Sequence, residues 1–302
     1  MLPVELVKKS LEDLEGEITL TVYESKDMLE FVEKLSEVSG RIDIKFIESS
    51  EPALKLPAIR VGESKIFFHG IPQYSELESF LYALKLVAKG CRGGGDFMIT
   101  TLVSRICPNC RKTVDSINRL AVKKGLEHHV VDVNSFPEMA ERYDVCSVPT
   151  AIIGEFRLTG AMDEDEIKKW IEAASKGESY TYLLEKLMNG EIDEVIRFGM
   201  VRDIGKELAM LMAHPEFMVR LGAMAAIESL NEKKPESVAG AKDVIRDLLM
   251  HEDERIREDA AMMLGMIGGE EDAKYLETLR MDGRVGDSIR EAIDAIRGRN
   301  CG

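Results

Sequence analysis

Apolar and polar residues alternate over residues 17–23 (EITLTVY), whereas the residues before them follow a helical spacing. Alternation with a period of two marks a strand with one buried face, and recurrence at i, i+3 and i+4 marks an amphipathic helix. On that basis residues 3–15 read as a short helix, 17–23 as a strand, 26–39 as a helix and 41–47 as a second strand. Residues 56–59 and 65–68 give two more strands bent around Gly62, and 75–89 a closing helix. The order is βαβ, a β-hairpin, then a helix.

The run Cys91-Arg92-Gly93-Gly94-Gly95-Asp96 interrupts this pattern, since consecutive glycines do not easily continue a helix. Beyond it the same order returns. Residues 98–103 read as a strand, 109–124 as a helix, 127–133 as a strand and 136–143 as a short helix. A hairpin follows at 150–153 and 156–158, and a helix at 164–174. Pro57 and Pro149 stand 92 residues apart, as do Gly62 and Gly154, so one supersecondary unit is used twice. The first copy is shorter, with no room between Ile47 and Pro57 for the short helix of the second.

From about residue 177 only helical spacing is found, with a second repeat. Val219, Ala223, Ala226, Ile227 and Leu230 recur 37 residues on as Ile256, Ala260, Met263, Leu264 and Ile267. A further shift of 33 reaches Ile289, Ile293 and Ile296. Arg220, Arg257 and Arg290 keep the same register, as do His214 and His251. Paired amphipathic helices at such a period form an α-solenoid. The expected architecture is α/β followed by all-α. Residues 1–90 form a unit without cysteine, 97–176 a unit with a dithiol, and 177–302 the helical repeats.

Composition narrows the function. The 302 residues carry a net charge of −15, which disfavours nucleic acid and a polybasic membrane contact. No stretch has the roughly 20 apolar residues of a membrane span, and the first residues lack a signal-peptide core, so a cytoplasmic location is expected. Thiols are held reduced there, and five cysteines do not make a structural disulfide framework.

Two of the five, Cys107 and Cys110, stand in Cys-Pro-Asn-Cys directly after a strand. The spacing delivers Cys107 to the first turn of the next helix, where unpaired N–H groups and the macrodipole favour a thiolate. Pro108 suits that turn, since it needs no N–H there. Arg105, Arg111 and Lys112 add positive charge, and in such settings thiol pKa values fall from about 8.5 to about 3.5–7.5. Cys107 is then the attacking thiol and Cys110, one turn on, the resolving one. Half a zinc site completed by Cys146 and a histidine is the competing use. Cys146 otherwise reads as a semi-buried structural or regulatory thiol, and Cys91 and Cys301 as incidental. His128 and His129 lie in one strand, face opposite sides and read as packing residues. The acidic run at 163–166 suits a helix start, Met262, Met263 and Met266 a repeat core, and Trp170 a site remote from the dithiol.

With Cys107-Pro108-Asn109-Cys110 after a strand and Ser147-Val148-Pro149-Thr150 opening a hairpin, residues 1–176 resemble the tandem thioredoxin folds of protein disulfide oxidoreductases. They resemble equally the N-terminal domain of the flavoprotein subunit of alkyl hydroperoxide reductase. Residues 200–300 resemble HEAT-like repeats, including the phrase Ile256-Arg257-Glu258-Asp259-Ala260. The resemblance implies two tandem thioredoxin folds, the first degenerate, and a short HEAT-like α-solenoid. It implies a cis Pro149 beside the dithiol, with the Val148 backbone free to pair with an extended substrate. Thioredoxins carry a buried acid six residues before the first cysteine and an aromatic immediately before it. Here those positions hold Thr101 and Ile106, so the proton acceptor for Cys110 is unassigned.

The function implied is a thiol–disulfide oxidoreductase, fed by a flavoprotein disulfide reductase of the thioredoxin-reductase kind and acting on a protein disulfide or a peroxiredoxin-like acceptor. The repeats recruit a protein partner, and the first unit is structural. A redox-inert binding scaffold and a glutaredoxin-like, glutathione-linked reductase are the alternatives. No Gly-x-Gly-x-x-Gly occurs, so neither flavin nor nicotinamide is expected on this chain, and no metal.

Overall fold

A computed structural model describes residues 3–49, 53–91, 95, 97–279 and 283–300. Residues 92–94 and 96 of the glycine-rich boundary, and Cys301, lie outside the described residues. The chain divides into two compact units, Met1–Lys176 and Gly177–Gly302.

The first unit runs α1 (Val4–Leu11), β1 (Ile18–Tyr23), α2 (Lys26–Ser39), β2 (Ile42–Ile47), β3 (Ala58–Val61), β4 (Ile66–His69) and α3 (Tyr74–Ala88). It continues through β5 (Met98–Val103), α4 (Cys110–Lys124), β6 (Glu127–Asp132), α5 (Pro137–Arg142), β7 (Thr150–Ile153), β8 (Phe156–Thr159) and α6 (Glu164–Lys176). All eight strands form one sheet in the order β2-β1-β3-β4-β6-β5-β7-β8. Each half of that order is second, first, third, fourth strand, which is the sequence repeat made physical. The halves join where β4 pairs in parallel with β6, Ile66 opposite His128 and His69 opposite Val131. Helices α3 and α4 also pack on one another.

Local chemistry sets the element ends. Ser25 caps α2, its Oγ accepting from the Met28 N–H at 3.2 Å. Helix α4 ends at Gly125, whose φ of 70° is one that glycine adopts without strain. Two expected boundaries move. Helix α1 stops at Leu11 rather than residue 15, and the Leu14 carbonyl accepts from the Arg41 guanidinium instead of continuing the helix. Helix α4 begins at Cys110, so Cys107 lies in the turn before it and not in its first turn.

The second unit contains α7 (Tyr180–Met188), α8 (Ile192–Gly199), α9 (Gly205–Leu211) and α10 (Phe217–Lys233), then a 3-10 turn at Pro235–Val238. It closes with α11 (Ala241–Leu248), α12 (Glu254–Ile267), α13 (Glu270–Thr278) and α14 (Gly283–Asn300). Helices α9, α11 and α13 open the three repeats seen in the sequence, and the pair α7–α8 precedes them. Successive second helices stack, α10 on α12 and α12 on α14, as a solenoid requires.

The repeated arginine and histidine have a structural use. His214 Nδ1 accepts from the Glu216 N–H at 3.1 Å, and Arg220 donates to the carbonyls of His214 and Pro215, both at 3.2 Å. In the next repeat His251 Nδ1 accepts from Asp253 at 3.0 Å, and Arg257 donates to His251 and Glu252 at 2.6 and 3.0 Å. Each pair satisfies backbone groups in the turn between the helices of a repeat.

Candidate dithiol site

Strand β5 ends at Val103, and the following turn carries Cys107. Its backbone N–H donates to the Ser104 carbonyl at 2.9 Å. The Cys107 side chain is half-buried, with Sγ 3.6 Å from the Val148 carbonyl oxygen. Cys110, the first residue of α4, is buried. Burial pushes its thiol far above the ordinary range, and its hydrogen bond with Cys107 adds to the rise. Cys107 is the more accessible of the two thiols.

The Val148–Pro149 peptide is cis, and the Pro149 carbonyl accepts from the Gly160 N–H at 2.8 Å. This ties the start of β7 to the residue after β8, and the Val148 carbonyl just before it meets the Cys107 sulfur.

The expected cationic surround is arranged differently. Arg105 donates to Asp132 Oδ2 at 2.7 Å and to Ser135 Oγ at 3.0 Å. Arg111 is engaged by Glu78 and, at 3.3 Å, by Asp115. Both guanidinium groups thus serve carboxylates. Asp132 at the end of β6 and Glu78 on α3 reach these arginines only through the fold, whereas Asp115 lies one helical turn from Arg111. Lys112 is exposed, and its charge acts on Asp163, whose carboxyl is lowered first by the Glu166 amide.

One functional residue escaped the sequence reading. Glu76, in the first turn of α3, is buried beside Cys110. Neither of its carboxyl oxygens has a hydrogen-bond partner among the described residues, nor has the buried hydroxyl of Ser79. These groups line, with Ser75, Ser104 and Cys110, a cavity about the size of one water molecule. Burial pushes the Glu76 carboxyl up to about 8; the charge of Asp132 adds to the rise and that of Arg105 opposes it. The neighbouring Ser75 hydroxyl donates to the Cys107 carbonyl at 3.1 Å. The first half of the unit, expected to be structural only, therefore supplies two side chains to the dithiol. The signal was present: Glu76, Phe80 and Leu84 share one helix face, so an acid sits inside an apolar stripe.

Other residues fall as follows. His128 is buried between Asn118 Oδ1 (2.7 Å) and Thr101 Oγ1 (2.8 Å). His129, on the opposite face, meets His69 at 2.8 Å and Glu127 at 2.6 Å. Cys146 is exposed rather than semi-buried, because the loop before the cis peptide carries it outward. No cluster of metal-ligating side chains occurs among the described residues. No helix among them is long and apolar enough to cross a membrane.

Comparison with known proteins agrees with this geometry. Residues 98–172 match the model of a thioredoxin domain, and residues 206–297 that of HEAT repeats. A protein named NADH dehydrogenase from Ferdinandcohnia aciditolerans is 29% identical over 177 residues, 52% of this chain and 34% of that protein. One of the same name from Bacillus subtilis is 28% identical over 159 residues, 47% of this chain and 31% of that protein. The chain thus spans about a third of the length of these relatives.

Among solved structures, the N-terminal domain of alkyl hydroperoxide reductase AhpF from Enterococcus faecalis superposes with a TM-score of 0.50 at 23% identity. The match covers 58% of this chain and all of that one, 100%. A protein disulfide oxidoreductase from Aeropyrum pernix gives 0.50 at 19% identity, covering 58% and 92%. The chain therefore carries a thioredoxin domain and HEAT repeats, and 58% of it shares the fold of these two structures.

Proposed function

We propose that the protein catalyses thiol–disulfide exchange with protein disulfides through Cys107 and Cys110. The Cys107 thiolate attacks one sulfur of a substrate disulfide; that bond breaks and the other substrate sulfur leaves as a thiolate. In the mixed disulfide, Glu76 in its ionised form, the minor one below about pH 8, takes the proton of the Cys110 thiol, which attacks Cys107 Sγ. The second substrate sulfur departs and takes up a proton, leaving the protein disulfide. Two electrons have then passed from the dithiol to the substrate; the Cys110 proton reaches the second sulfur by way of Glu76, and solvent protonates the first. An external dithiol or reductase restores the reduced state.

The observation that carries this reading is the unpartnered carboxyl of Glu76 beside the buried Cys110, facing a half-buried Cys107. An inert scaffold has no use for that arrangement. The name NADH dehydrogenase carried by the relatives favours electrons that originate in NADH; in this reading a flavoprotein disulfide reductase delivers them. The acceptor is a protein disulfide or a peroxiredoxin-like protein, recruited by the HEAT repeats, in the cytoplasm.

Substitution separates the roles. Cys107→Ser should abolish reduction of a protein disulfide such as that of insulin. Cys110→Ser should instead accumulate a mixed disulfide detectable by mass, because attack survives and resolution does not. If Cys110 is alkylated faster than Cys107 near neutral pH, the assignment is reversed.

A further inference from the structure

We infer that Tyr74 selects the substrate of the dithiol, favouring protein segments with apolar residues on either side of the target disulfide. The inference rests on the exchange chemistry proposed above and names its substrate class.

Tyr74 has a backbone φ of 49°, in the left-handed region that aromatic L-residues rarely adopt and glycine occupies freely. Such a conformation persists where the surroundings impose it, and it gathers at functional sites. The ring does not explain its retention through packing, since Tyr74 is 69% exposed. The fold's own contacts begin just after it. Ser75 donates to the Cys107 carbonyl, Glu76 enters the Cys110 cavity, and Leu77 and Phe80 enter the core. Tyr74 is thus one residue from the side chain that holds the backbone of the attacking thiol.

A second exposed apolar side chain flanks that thiol. Ile106 immediately precedes Cys107 and is 78% exposed. The Val148 carbonyl, beside Cys107 Sγ, gives an extended peptide a backbone partner. An exposed aromatic residue beside the serine that bonds the Cys107 carbonyl, and an exposed aliphatic residue just before Cys107, thus flank the dithiol turn. Residues flanking a disulfide in an extended segment would meet them and lose apolar surface to water. Glutathione offers carboxylates instead, and the guanidinium groups of Arg105 and Arg111 are already engaged by Asp132, Glu78 and Asp115.

The test uses the full chain, reduced beforehand, in single-turnover reactions. The probes are Ellman's aromatic disulfide, oxidised glutathione, and two synthetic peptide disulfides, one flanked by Leu and Phe and one by Ser and Gly. The wild type should favour the Leu/Phe peptide. Tyr74→Gly should slow that reaction by about tenfold and leave the Ser/Gly peptide and Ellman's reagent unchanged. The same variant should hold or raise the melting temperature, because glycine accepts the left-handed conformation. Tyr74→Phe should retain the preference. A Tyr74→Gly protein that keeps the wild-type preference, or loses rate equally on all probes, overturns the inference alone. So does a wild type that reacts fastest with glutathione. A wild type inert toward every probe overturns the dithiol reading and this inference with it.

Discussion

Glu76 places an ionisable carboxyl where no hydrogen bond from the described residues meets it, and the consequence is a proton balance that differs between folded and unfolded chains. The folded carboxyl titrates at about 8 against an ordinary 4.5, so the native state keeps a proton that the unfolded chain has released. Stability is therefore lost as pH rises from about 4.5 through about 8. Glu76→Gln should remove that slope and stabilise the protein above about pH 8 by on the order of a few kcal/mol. The same substitution should slow release of the mixed disulfide and remove the rise of that step with pH near 8. Urea unfolding and single-turnover profiles on both sides of that pH measure the two effects. A Gln variant that keeps the wild-type slope in both would remove Glu76 from the mechanism. The two cysteines were legible from spacing alone. Glu76 was legible only as an acid within an apolar stripe; its place beside Cys110, 34 positions away, comes through the packing of α3 on α4.

At the level of elements, local patterns carried further than pairings. Residues 26–39, 98–103 and 150–153 form their elements at the bounds that periodicity predicts, because burial of one face is written into the sequence. The joint between β4 and β6 has no such mark: alternation says which face a residue takes, not which strand lies beside it. That joint buries three histidines. His128 bonds toward Asn118 and Thr101 on one face, while His69 bridges the Pro57 carbonyl (3.1 Å) and His129 on the other, with Glu127 beyond. Burial lowers His69 and His128 to about 3, and the neighbouring His129 adds to both shifts. Stability conferred by neutral imidazoles is full above the ordinary value of 6.5 and is lost as pH falls from there toward 3. The sheet unit should thus unfold in mild acid. Trp170, buried against Phe156 in the same unit, reports it by fluorescence. Replacing His69 with glutamine keeps a donor and an acceptor without the titration, and should move the acid midpoint to lower pH. An unchanged midpoint would place the acid-sensitive group elsewhere.

Over the whole molecule, a unit with a thioredoxin domain is joined in one chain to a repeat unit whose period the sequence displayed and whose surface it did not. Phe217, Met218 and Leu221 are exposed at the start of α10. The residues 37 positions on are Glu254, Arg255 and Glu258, so the repeat fold itself does not require an apolar surface there. Recruitment of a protein through the repeats matters only if the thioredoxin domain exchanges electrons, and this is the claim to test first. The protein should be equilibrated in dithiol buffers spanning about −270 to −120 mV, the range of thioredoxin-fold dithiols, then blocked and weighed. The account predicts that Cys107 and Cys110 are lost together, as one two-electron couple with a midpoint inside that range, while Cys146 stays blockable. Two thiols that titrate independently, or a pair that never closes across the range, would contradict it.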